Sequence, residues 1–189
     1  MFLVRCEASC EEAMAFPSSL RSAVLDAVAS VTIGECHPPS HAFIVNMENE
    51  TLRIPYRVYY DPDLLRRQLK DFQDDPRRIL LCLGTRHYDG YLRQECLRQL
   101  VKNKADWITP YVLQLAGEYV VEITEDVAIA IGEHNPAILR GFALENSAYL
   151  ATLARRVTSY WSCYYRHAYR ERHSYPGAKV LAMLDAAVE

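Results

Sequence analysis

The residues best suited to chemistry fall in a few short stretches. In GTRHYDGYLRQECLRQL, Gly84 to Leu100, His87 and Asp89 stand just ahead of a helical pattern. Such a pair does acid–base work once a nucleophile or metal and an oxyanion donor are brought to it. Nothing local supplies those parts. Asp89 also has a simpler task as a helix N-cap, accepting hydrogen bonds from the free N–H groups of the first turn. In GEYVVE, Glu118 and Glu122 lie one helical turn apart. Against a stripe of Ile108, Val112, Leu115, Tyr119 and Ile123, Glu122 falls near the edge of the apolar face and Glu118 farther round. An unpaired charge there is expensive to bury, so an internal ion pair of Glu122 with Arg93 or Arg140 is expected. The Glu-x-x-His companions of a di-iron bundle are absent. An enzyme with a site near His87, Asp89 and Glu122 is one alternative reading, and a nucleic-acid binder through the Tyr/Arg-rich helix 160–175 is another.

Cys6, Cys10, Cys36, His37 and His41 offer zinc-ligand chemistry, but their spacing is loose beside the tight ligand pairs that structural zinc favours. No metal and no cofactor is expected. The most unusual segment is YWSCYYRHAYRERHSY, from Tyr160 to Tyr175, where tyrosines interleave with arginines and histidines. Trp161, Tyr164 and Ala168 are assigned to the core. That leaves Tyr165, Arg166, Tyr169, Arg170 and Arg172 as candidate partner-binding residues, since aromatic and arginine side chains are enriched at interface hot spots and stack on bases. The alternative is an amphipathic helix whose arginines answer the acidic stretch from Glu118 to Glu133.

The elements that must position these residues are mostly helical. Leu20, Val24, Ala27 and Val28 form a stripe after Pro17. HAFIVNMENETLRIPYRVYYDPD carries the clearest β signal, a hairpin of Phe43–Met47 and Leu52–Tyr60 about a polar turn, with Pro55 marking an edge or bulge. From Asp61 onward helix follows helix. Asp61-Pro62 opens the first, Asp75–Leu83 forms a second, and Leu92, Cys96, Leu97, Leu100 and Val101 share one face of a third. A helix from about Trp107 carries the Ile108–Ile123 stripe and continues or restarts through TEDVAIAIGEH. AILRGFALEN is short. One long helix is predicted from Ser147 to Arg172, on Leu150, Leu153, Val157, Trp161, Tyr164 and Ala168, and PGAKVLAMLDAAVE is a helical tail.

The pattern Asp89, Leu92-Arg93, Cys96, Leu100 resembles the second helix of a HEAT-type repeat. ILLCLG stands in the place of its first helix, and DWITPYVLQL in that of the next entry. Leu139-Arg140 with Ala143 echoes it, Arg93 and Arg140 being 47 residues apart, while Arg66 and Arg93 are only 27 apart. The resemblance covers residues 61–165 and implies stacked helix pairs that offer an extended face to a partner. The hairpin and the aromatic helix lie outside the family's pattern, and a generic helical bundle is the other reading.

The 189 residues suit a single domain, 1–60 holding a helix and hairpin and 61–189 being helical. A 50% hydrophobic share supplies a core, and a net charge of −3 confines any nucleic-acid surface to a local patch. The cysteines form no disulfide framework, which suits a reducing compartment. Arg5 and Glu7 interrupt any signal-peptide core, and no apolar run reaches the ~20 residues of a membrane span. The expectation is therefore a mainly α protein: a HEAT-like or irregular helical bundle of antiparallel helix pairs with a small N-terminal β-hairpin. In function it would be a cytoplasmic, non-enzymatic protein-binding scaffold or adaptor/inhibitor-type module. A protein partner is expected and a homodimer would suit the aromatic face. Nucleic acid and membrane are not expected partners.

Overall fold

A computed structural model describes residues 11–32, 41–103 and 105–189. Cys6, Cys10, Cys36 and His37 of the zinc reading lie outside the described residues. The fold is mainly α with one small antiparallel hairpin. The chain divides into two compact units, Met1–Cys96 and Leu97–Glu189.

In the first unit, α1 (Arg21–Val31) buries Val24, Ala27, Val28 and Val31. The hairpin joins β1 (Ala42–Met47) to β2 (Glu50–Pro55), with Met47 facing Glu50 across a two-residue turn. Glu48 and Asn49 both take positive φ, 52° and 66°, as a type I′ turn requires. Phe43, Val45 and Met47 point inward with Leu52 and Ile54, while Ile44 faces solvent. The second strand stops at Pro55 rather than at Tyr60. The chain then leaves the hairpin, and Val58 pairs in parallel with His87: its N–H donates to Arg86 O (2.9 Å), and Tyr88 N–H donates to Val58 O (3.2 Å). Helix α2 (Pro62–Asp71) starts where Asp61 accepts from Leu64 N–H at 2.7 Å, with Pro62 in the first turn. Helix α3 (Asp74–Gly84) buries every residue from Ile79 to Gly84. A Cβ added at Gly84 would lie 2.3 Å from Cys96 Sγ on α4 (Gly90–Leu100), so only glycine fits there.

In the second unit, the continuous helix expected through Ile108–Ile123 is broken. Helix α5 (Thr109–Gln114) passes into a 3-10 turn, Leu115–Gly117; Glu118 is extended, and α6 (Val121–Gly132) starts afresh. At Gly117 the backbone runs close to Leu153: a Cβ there would come within 2.8 Å of Leu153 Cδ1. Helix α7 (Pro136–Glu145) begins with Asn135 capping Ala137 N–H at 3.0 Å. The predicted long helix from Ser147 is also shorter than its periodicity suggests. Helix α8 (Ser147–Tyr160) gives way to a π turn, Trp161–Tyr165, and the chain turns before α9 (Pro176–Val188). Helix α9 packs on α6, α7 and α8.

Candidate interaction surface

The His87 turn is built from backbone. Tyr60 O accepts from His87 Nε2 (2.8 Å), and Asp89 N–H donates to Nδ1 (3.1 Å). A carbonyl only accepts and an N–H only donates, so the two partners fix the neutral tautomer with hydrogen on Nε2. Burial holds the imidazole pKa below its ordinary value, in agreement with that tautomer. The ring is fully buried, not exposed at the turn as a catalytic-loop reading requires. Neither nitrogen is free to move a proton. Asp89 caps α4, its Oδ1 accepting from Tyr91 N–H at 2.9 Å. Arg93, buried, donates through Nη1 to His87 O (2.9 Å) and Tyr88 O (3.0 Å), clamping the turn from behind. Tyr88, half exposed, stacks on Tyr59 with ring centroids 5.8 Å apart. Behind Tyr60, Glu12 is buried and accepts from the Tyr60 hydroxyl (3.0 Å), and burial raises its carboxyl pKa.

The second unit places the remaining candidates. Glu118 is buried and Glu122 is exposed, the reverse of the helical-wheel expectation, because the break at Gly117–Glu118 resets the register. Glu122 sits in the first turn of α6, where a carboxylate favours the helix dipole. Arg140 donates to the Ala187 and Val188 carbonyls, satisfying the C-terminal end of α9. A pairing that the sequence conceals joins Thr109 to His134, whose Nε2 lies 3.1 Å from Thr109 Oγ1. The hydroxyl is buried and donates to Asp106 O at 2.7 Å, so it is a helix-entry contact and not an activated nucleophile. Among the described residues no group of three or more His, Cys, Asp or Glu side chains is placed to hold a metal ion.

The Tyr160–Tyr175 segment is organised by the π turn. One turn with i→i+5 hydrogen bonding adds a residue to the helix, so every later position shifts round by one. The inward stripe therefore runs from buried Leu153 and Val157 through half-buried Trp161, Tyr165 and Tyr169, not through Tyr164 and Ala168, which are exposed. Tyr165 stacks on the buried Tyr175 (centroids 5.6 Å, planes 20° apart) and Tyr169 meets it edge-on (5.6 Å, 72°). Trp161 Nε1–H donates to Tyr169 O at 2.8 Å. The Tyr165 hydroxyl donates to Tyr119 O, and that of Tyr169 to Glu125 Oε1 at 3.0 Å. Burial raises the pKa of all three tyrosines, Tyr175 to about 12. Comparison with protein-family models, curated proteins and solved structures found no match.

Of the five candidate contact residues, Tyr165 and Tyr169 are thus half-buried supports, while Arg166, Arg170 and Arg172 are exposed. Among the described residues none of these arginines forms an ion pair, with the Glu118–Glu133 stretch or elsewhere. Tyr164, 68% exposed, joins them. Ser162, Cys163, Tyr164, Arg166, His167 and Arg170 line an open concavity of about 440 Å³. A neighbouring hollow shares Ser162 and Cys163 and runs along α8 past Thr158 to Arg155. Tyr164 is the exposed ring that sequence reasoning placed in the core; its signal was the second four-residue stripe, Trp161, Tyr165 and Tyr169, which competes with its own.

Proposed function

We propose that this chain is a non-enzymatic protein-binding module of the scaffold, adaptor or inhibitor type, engaging a protein partner through the face that carries Tyr164, Arg166, Arg170 and Arg172. One observation carries the reading. An exposed aromatic ring on the π turn is followed by three exposed arginines without ion-pair partners among the described residues, and the turn is held from behind by the Trp161, Tyr165, Tyr169 and Tyr175 packing. Tyrosine and arginine are enriched at interface hot spots, and a turn held in place by packing limits the backbone entropy lost on association. The HEAT-like resemblance of residues 61–165 accords with a scaffold role. The engagement of both His87 nitrogens counts against acid–base catalysis there. Cysteines left as free thiols, Cys82, Cys96 and Cys163, suit a reducing cytoplasmic setting, and no helix among the described residues is long and apolar enough to cross a membrane.

Photo-cross-linking in the native host tests this. A photoreactive residue replacing Tyr164 is expected to capture a discrete protein that the same residue at exposed Ser22 does not. Identical capture from both positions, or none from Tyr164, overturns it.

A further inference from the structure

The concavity beside the π turn has a one-sided chemistry. Arg166 and Arg170 are donors with no acceptor capacity, and with His167 and the Ser162 hydroxyl they line the hollow. Arg172 stands exposed beyond them, and Tyr164 forms an aromatic wall. Glu171, also exposed, is the one acidic residue of the Tyr160–Tyr175 segment. The face is thus locally basic on a chain whose net charge is −3.

We propose that the concavity is a docking site for a short carboxylate-rich peptide segment of the partner protein, held by Arg166 and Arg170 with Tyr164 against the segment's apolar atoms. The proposal rests on the protein-binding reading of this face and names the chemistry that the face selects. Guanidinium groups match carboxylates bidentately, and a neighbouring aromatic ring strengthens the pairing by keeping water out. The site is too small for a nucleic-acid track. A protein that makes about 6–10 phosphate contacts on a duplex neutralises those phosphates with lysines and arginines. Here the basic face is interrupted by Glu171 and bounded on α6 by the exposed Glu122 and Glu125, the latter holding the Tyr169 hydroxyl. Those carboxylates would repel a long polyanion but leave room for a few acidic side chains.

The test is fluorescence anisotropy on the full chain, with labelled hexaglutamate, hexalysine and a single-stranded oligothymidylate as probes. Hexaglutamate is expected to bind with an affinity that falls as salt rises, and hexalysine is not expected to bind. Arg166→Gln with Arg170→Gln should weaken hexaglutamate at least ~10-fold, the scale of losing interface anchors. Arg166→Lys with Arg170→Lys should retain part of the affinity. The exposed positions leave the fold intact, which circular dichroism of each variant checks. No hexaglutamate binding, binding indifferent to the Gln variants, or tighter binding of the oligothymidylate overturns the proposal. So does a concentration-dependent dimer in sedimentation that the Gln variants abolish, since a second copy would then occupy the face. The two readings fail differently. If cross-linking from Tyr164 still captures a partner when hexaglutamate does not compete and the Gln variants change nothing, the acidic-segment proposal falls and the binding face stands.

Discussion

At the scale of single residues, two buried titratable groups set opposite pH dependences in the first unit. His87 is held neutral, with a folded pKa below the ordinary 6.5 because of burial. The unfolded chain then binds the extra proton first as pH falls. Its contribution to stability is complete above pH 6.5 and is lost as pH drops below that value toward the folded pKa. Glu12 works the other way, its folded pKa being raised above 4.5 by burial. Stability from its proton is present below 4.5 and lost as pH rises through the folded value. Among the described residues Glu12 Oε2 is buried without a hydrogen-bond partner, while Oε1 accepts from Tyr60. A neutral isostere keeps the Oε1 bond and removes the buried charge, so Glu12→Gln should stabilise the protein by about 1 kcal/mol at pH 7, and by less at pH 4. Thermal unfolding at the two pH values measures both numbers. A lower Tm at pH 7 would mean that the carboxylate itself is needed. His87→Gln should flatten the fall in Tm between pH 7 and pH 5, while costing stability at both.

At the scale of elements, the turns decide which residues reach the surface. The hairpin turn holds Glu48 at φ 52°, a left-handed conformation that costs a side-chain-bearing residue roughly 1 kcal/mol. Glu48→Gly should recover about that amount, read as a higher midpoint in urea with an unchanged slope. The π turn permits a sharper prediction. Because it is an α-helix with one inserted residue, deleting Ser162 should restore an i→i+4 turn and leave Tyr165 and Tyr169 packed on Tyr175. Near-ultraviolet dichroism should then stay close to the parent, while hexaglutamate binding falls because Cys163 and Tyr164 are rotated. Loss of the aromatic signal would mean that the insertion itself holds the packing. These two elements also mark what was readable beforehand. The hairpin, the caps at Asp61 and Asp89 and most of the helices after Asp61 were legible because each is a local signal. The π turn was not, since Tyr164 with Ala168 and Tyr165 with Tyr169 both continue the spacing from Trp161 and periodicity alone does not choose between them. The break at Gly117–Glu118 hid for a related reason: apolar residues on both sides keep a helical rhythm, and the close approach of Leu153 Cδ1 at Gly117 is a tertiary contact.

At the scale of the whole molecule, the mainly α class followed from the run of 3/4 spacings. The boundary between the two compact units did not, because it falls after Cys96 inside α4, where no proline, glycine or linker composition announces it. Charge is distributed just as quietly. A pI of about 6.1 and a net charge of −3 conceal a basic face on the Tyr160–Tyr175 segment. That contrast has a kinetic consequence. An acidic segment approaching the molecule is repelled by its average charge and attracted near Arg166, Arg170 and Arg172, so the local field orients the encounter. Screening at a Debye length of ~8 Å leaves the contact attraction but removes the guidance. The association rate of hexaglutamate should therefore fall several-fold between about 20 mM and 150 mM salt, with a smaller change in the dissociation rate. Reversing Arg172 to Glu, at the edge of the face rather than in the concavity, should lower the association rate and its salt sensitivity while leaving dissociation nearly unchanged. Stopped-flow anisotropy separates the two rates. A change confined to dissociation would place Arg172 in direct contact with the bound segment instead of in the steering field around it.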